Sequence, residues 1–218
     1  MVAFHFCYDL EYFKIYNFHI TSNPFFLNWR IFIVSLFLFL VGVSLALSHQ
    51  NGIKWQKVKK RAFLLGVVAL LISLVSYFLF PHSWIYFGII HFIFFASLVG
   101  LYFVNKKTLA FLVGVAILLL YAFKIISMHY FFINLAPLLH LPLYHTEDLA
   151  PFIPWFGVVL LGISLSNIVI KVCKVEKIEQ FSQKLKLLNL LGRHSLVIYI
   201  THQIILFALF FVILSIIA

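Results

Sequence analysis

Six apolar runs of about the length a helix needs to cross the hydrocarbon core, roughly 20 residues, divide this chain near 29–48, 61–80, 85–104, 108–127, 151–171 and 195–217. Two kinds of connection alternate between them. One kind is basic: Lys54, Lys57, Lys59, Lys60 and Arg61, then Lys106 and Lys107, then Lys171, Lys174, Lys177, Lys184, Lys186 and Arg193. The other kind gathers His19, His82, His129, His140, His145, Asp9, Glu11, Glu147 and Asp148, with Lys14 and Arg30 set against them. Short loops rich in Lys and Arg stay in the cytoplasm of a multi-span protein. The first run therefore goes inward, the Lys-rich loops lie inside, and the imidazoles and carboxylates gather outside. The pattern predicts an all-α, polytopic integral membrane helix bundle with six full spans.

Composition excludes a soluble domain. Hydrophobic residues make up 64% of the chain and charged residues 10%, with a mean hydropathy of +1.10, far from the soluble balance. A formal net charge of +10 suggests nucleic acid in a soluble protein. Here the cations occupy short loops, where membrane lipids and cytoplasmic retention explain them. No nucleic-acid partner is expected. Residues 1–10, MVAFHFCYDL, read as a partial first helix, the outer half of one more span truncated on its cytoplasmic side, or else as a re-entrant or interfacial segment. They lack the basic start and the cleavage site of a secretory signal. Cys7 and Cys173 fall at opposite membrane faces, too far apart for a disulfide. No Cys/His spacing suggests a metal site, and the whole of 1–218 reads as one transmembrane domain.

The polar residues need a reason to be there. His5 and Asp9 stand four residues apart, on one face of a helix, where an imidazole and a carboxylate can orient one another or share a proton. The bland alternative is an interfacial pair reaching water. His19 follows in the outer loop, where a lone His is usually solvated surface. His91 lies near the outer end of its run, with Gly88 three residues before it on the same face. It serves a site or is satisfied by a neighbouring carbonyl. Asp148 precedes Pro151 and Pro154 and can cap the 151–171 helix, unless it points into the bundle. His202 and Gln203 sit inside the last run, where unsatisfied polar groups are costly. These considerations predict that His91, Asp148 and His202 share one interior cavity with His5 and Asp9.

At these residues a resemblance emerges. FHFCYDL, FLFLVGVSLALS (37–48), YFGIIHF (86–92), EDLAPFIPWFGVVLLGI (147–163) and LGRHSLVIYITHQ (191–203), in that order, resemble the bacterial DUF1624 family. That family is grouped with the catalytic domain of heparan-α-glucosaminide N-acetyltransferase among transmembrane acyltransferases. The resemblance implies transfer of acetyl from cytoplasmic acetyl-CoA to an extracytoplasmic amino sugar or cell-envelope glycan at a bacterial inner membrane. It makes His19 the positional counterpart of a histidine tied to the family's chemistry, and gives His5 the place of a polar residue at the outer end of its first helix. The Arg-Gly start of that helix is absent here.

The residues suit that chemistry independently. Acyl transfer to an amine or hydroxyl needs a base, and His is the usual one near neutral pH. Asp9 or Asp148 could orient it. Lys60, Arg61 and Arg193 could receive the CoA phosphates, although the positive-inside pattern already accounts for them. The competing readings are a proton-coupled transporter, whose intramembrane His and Asp relay protons, and a non-catalytic scaffold. No internal repeat favours the transporter. A homo-oligomer is compatible with either.

Overall fold

The computed structural model describes residues 1–133, 135–142, 146, 148–173 and 186–217, with only the backbone at Cys173, Leu188, Arg193 and Ile217. His145, Glu147, Lys174, Lys177 and Lys184, all part of the charge pattern, lie outside the described residues, as does the side chain of Arg193. The described residues are helical, without a strand. The helices are α1 (Val2–Tyr12), α2 (Pro24–Ser48), α3 (Trp55–Leu79), α4 (Ile89–Gly100, extended by a 3₁₀ turn Leu101–Phe103), α5 (Lys107–Ala122), α6 (Ala136–Leu139), α7 (Phe152–Cys173), α8 (Lys186–Arg193) and α9 (Ser195–Ile217).

Four of these, α2, α3, α7 and α9, are long and apolar enough to cross a membrane. Two apolar helices, Ile89–Phe103 and Lys107–Ala122, are shorter than that, so six full spans are not what the helix lengths give. The reasons are local. The run expected from residue 85 becomes helical only at Ile89, because the chain before it is held by a parallel bridge between Phe87 and Leu149. The run expected to reach 127 stops at Ala122, and Lys124 then adopts a left-handed φ of 58°. That earlier stop moves Lys124 into a connection that the sequence pattern left free of cations.

The chain forms two compact units. The first joins residues 1–34 to 171–218. In it α1 packs on α9 through aromatic rings: Phe6 and Phe13 against Phe210, and Tyr12 and Phe13 against Phe207. Phe4, Phe26 and Trp29 form a second aromatic group beside it. Glu11 fixes the loop that follows α1, its Oε2 accepting the amides of Phe18 (3.1 Å) and Ile20 (3.0 Å).

The second unit holds residues 35–170. Its core runs along α7, where Val159, Leu160, Ile163 and Ser166 are fully buried. Small residues let the backbones meet, as expected where helix association rests on close packing. A Cβ added at Gly42 would collide with the Val159 carbonyl oxygen, and one at Gly162 with that of Phe39. Gly114 and Gly157 bring α5 onto α7 in the same way, each facing the other's carbonyl oxygen. The outward surface is apolar instead: Phe63, Leu70 and Phe78 of α3 are among its most exposed side chains. This is the surface of a helix bathed in lipid. We expect Gly162→Val to force α2 from α7 and cost about 1–3 kcal/mol, as overpacked cores do. Thermal unfolding in detergent should show it as a lowered midpoint, while the exposed Leu70→Val should leave the midpoint nearly unchanged.

Candidate functional site

In the first unit the polar residues of α1 and α9 face one another. Asp9 is completely buried, and its Oδ1 accepts a hydrogen bond from Gln203 Nε2 at 2.8 Å. His5, one turn earlier on the same face of α1, sets its ring edge-on to that of His202, with centroids 4.8 Å apart. The four-residue spacing therefore does place His5 and Asp9 together, but each meets the neighbouring helix. Asp9 meets Gln203, and His5 meets His202.

The His202 ring has a defined tautomer. Its Nδ1 lies 3.0 Å from the Ile198 carbonyl oxygen and 2.7 Å from that of Tyr199. Two acceptors at one nitrogen require it to carry the proton in the neutral ring, which leaves the lone pair on Nε2. His202 is 8% exposed, and Nε2 has no hydrogen-bond partner among the described residues. Asp9 Oδ2 and Gln203 Oε1 are likewise buried without partners. Buried polar atoms are nearly always satisfied, and these three lie on the two facing helices α1 and α9. His19, in the same unit, is exposed in a left-handed turn (φ 54°), and its backbone carbonyl accepts the amides of Ser22 and Asn23.

The second unit carries its own cluster, built on α3 and α4. His91 Nε2 lies 2.9 Å from Ser73 Oγ, and His91 Nδ1 accepts the Gly88 amide at 3.3 Å. The amide forces Nδ1 to be the acceptor, so Nε2–H donates to Ser73, whose own hydroxyl donates to the Ile85 carbonyl oxygen at 2.7 Å. Both nitrogens of His91 are engaged. Ser76 continues the clamp, its Oγ accepting the Ile85 amide at 2.9 Å. Ser73 and Ser76 were not singled out in the sequence, because a Ser inside an apolar helix usually bonds its own backbone.

Asp148 caps a helix, but a different one from the α7 expected. Its Oδ2 accepts the Ile89 amide at 3.0 Å, at the first residue of α4. Gly88, the residue before, has no side chain with which to cap its own helix, and a Cβ there would collide with Asp148 Oδ2. The glycine thus leaves room for a carboxylate brought from 59 residues away. Desolvation raises the Asp148 carboxyl above its ordinary range, and the Ile89 amide opposes that rise.

The basic residues divide too. Arg61 lines a pocket among the ends of α2, α3 and α4, whereas Lys60 is exposed outside its wall. Lys57 and His49, which sequence reasoning did not single out as binding residues, line the pocket with Arg61.

The model of the family described as heparan-alpha-glucosaminide N-acetyltransferase, catalytic, matches residues 1–204. The chain belongs to that family. No curated protein and no solved structure matches it. Membership in the heparan-alpha-glucosaminide N-acetyltransferase family suggests a membrane acetyltransferase, and the matched range contains both polar clusters and the pocket at Arg61.

Proposed function

We propose that the chain is a membrane-bound acetyltransferase that takes acetyl from acetyl-CoA and delivers it to an amino sugar or cell-envelope glycan, with His202 as the base. The observation that carries the assignment is the buried, unpartnered Nε2 of His202, whose tautomer is fixed by two backbone carbonyls. A neutral imidazole held in this way is ready to receive a proton. His202 Nε2 takes the proton of the acceptor's amine or hydroxyl as that atom attacks the thioester carbon. The new C–N or C–O bond forms, the C–S bond breaks, and coenzyme A leaves as the thiol once the proton is passed to its sulfur. His5 lies against the ring that becomes charged, and Asp9 supplies negative charge on the same helix face. Stabilising the imidazolium without being protonated is what a carboxylate does beside a catalytic His. His19, exposed and one loop away, is the second candidate base. His91 and Asp148 serve the position of α4 through the contacts described above. Lys60, Arg61 and Arg193 remain the candidate ligands for the CoA phosphates.

The test is donor consumption. Purified protein supplied with acetyl-CoA and glucosamine should release free thiol in proportion to acetylated sugar. Thiol released without acetylated sugar, or no thiol from folded protein, contradicts the proposal.

We further propose six membrane crossings in addition to α1, with the Lys-rich connections in the cytoplasm of a bacterial inner membrane. In a background lacking Cys7 and Cys173, Gln56→Cys should resist an impermeant thiol reagent in intact cells, and His145→Cys should react. The reverse pattern would invert the orientation.

A further inference from the structure

The pocket at the joined ends of α2, α3 and α4 has about 210 Å³ of space. Ser48, His49, Lys57, Arg61 and Ser97 supply its polar lining, and side chains such as Leu45, Leu65 and Phe94 form the apolar wall. Three features require an anion. First, Lys57 and Arg61 stand four residues apart on one helix face, where like charges repel. Asp148 is the only acid among the described residues of this unit. It lies at the other end of the α3–α4 pair, since Ser73 near that end is twelve residues, or about 18 Å of helix, from Arg61. Second, Lys57 sits in the first turn of α3, where the helix dipole disfavours positive charge and favours an anion. Third, His49 is 5% exposed and uses Nδ1 on the Leu45 carbonyl oxygen (3.0 Å), while its Nε2 is buried without a partner among the described residues. Ser97, 8% exposed, adds a second atom, Oγ, with no partner among the described residues.

We infer that this pocket binds a phosphate ester. Lys57 and Arg61 neutralise the phosphate, the Ser97 hydroxyl donates to it, and His49 contributes Nε2, the ring nitrogen that the Leu45 carbonyl does not engage. The apolar wall receives the part of the ligand attached to the ester. A charged head beside an apolar body describes a phospholipid headgroup, and it also describes the phosphate end of coenzyme A. The second source rests on the acetyltransferase reading. The first does not.

Binding, rather than turnover, tests the pocket. Coenzyme A and dispersed phosphatidylglycerol are offered separately to purified, delipidated protein, and each is titrated by the shift in thermal unfolding midpoint. One of them should stabilise the wild type, and Lys57→Gln and Arg61→Gln should each weaken that ligand roughly tenfold, because a charged hydrogen bond contributes about that much to affinity. Arg61→Lys should recover part of the loss. Loss confined to phosphatidylglycerol identifies a lipid site, and loss confined to coenzyme A identifies the donor's phosphate. If neither ligand stabilises the wild type, or if folded Lys57→Gln and Arg61→Gln bind both as the wild type does, the phosphate site is wrong. Lys57 is exposed, so its variant folds even if Arg61→Gln does not. An enzyme without acetyl transfer that still shows these shifts would refute the catalytic proposal and leave the pocket standing.

Discussion

His202→Ala should reduce acetyl transfer by roughly 10²–10⁴-fold, the usual contribution of a general base, while helix content and membrane insertion stay as in the wild type. Among the described residues the ring's hydrogen bonds go to backbone carbonyls of its own helix, at Ile198 and Tyr199, so its removal orphans no side-chain hydrogen-bond partner. His202→Gln is the sharper variant. Its amide can occupy the space but cannot accept a proton, and it should be as inactive as alanine. His5→Ala should do less, because in the proposed mechanism His202 takes the proton and His5 touches only its ring. Equal activity in wild type and His202→Gln would remove His202 from the chemistry and leave His5 and His19 as the candidate bases.

Gly88→Val should destabilise the second unit by about 1–3 kcal/mol, the cost of overpacking, because any Cβ there displaces the Asp148 carboxylate from the α4 terminus. Asp148→Ala loses the same cap at about 0.5–2 kcal/mol. The two losses should not add, since both remove one contact. Asp148→Asn keeps an acceptor for Ile89 and separates the cap from the charge. Burial raises the carboxyl's pKa from 3.8, so the folded state binds this proton more tightly than the unfolded one. Its contribution to stability is full below 3.8 and declines as pH rises through the raised value. Subtracting the Asp148→Asn profile from that of the wild type should expose this slope. A flat difference would mean that the carboxyl is as solvated as in the unfolded chain.

The sequence disclosed these residues unevenly, and the reasons are physical. The i, i+4 spacing of His5 and Asp9 is a property of one helix, so their common face was legible at once. So were His202 and Gln203, because an amide and an imidazole inside an apolar run demand partners. The identity of those partners was not legible, since it depends on which helix lies opposite. Asp148 shows the limit well. A carboxylate just before two prolines fits the start of α7 by every local rule, yet it serves α4, whose glycine leaves the vacant space. The helix lengths failed for a related reason. An apolar run keeps its hydropathy through 85–88 while a bridge from Leu149 holds that backbone extended. His49 and Lys57 looked like ordinary loop residues until the ends of α2, α3 and α4 came together.

Control of acetyl transfer by the α1–α9 histidines is tested most directly by a single-turnover experiment with acetyl-labelled acetyl-CoA, excess enzyme in proteoliposomes and glucosamine. Wild-type enzyme should move label from donor to sugar in one exponential phase, and His202→Gln should slow that phase by roughly 10²-fold or more, with the exposed Leu70→Val matching the wild type. Label reaching the sugar at the wild-type rate in folded His202→Gln would contradict the claim.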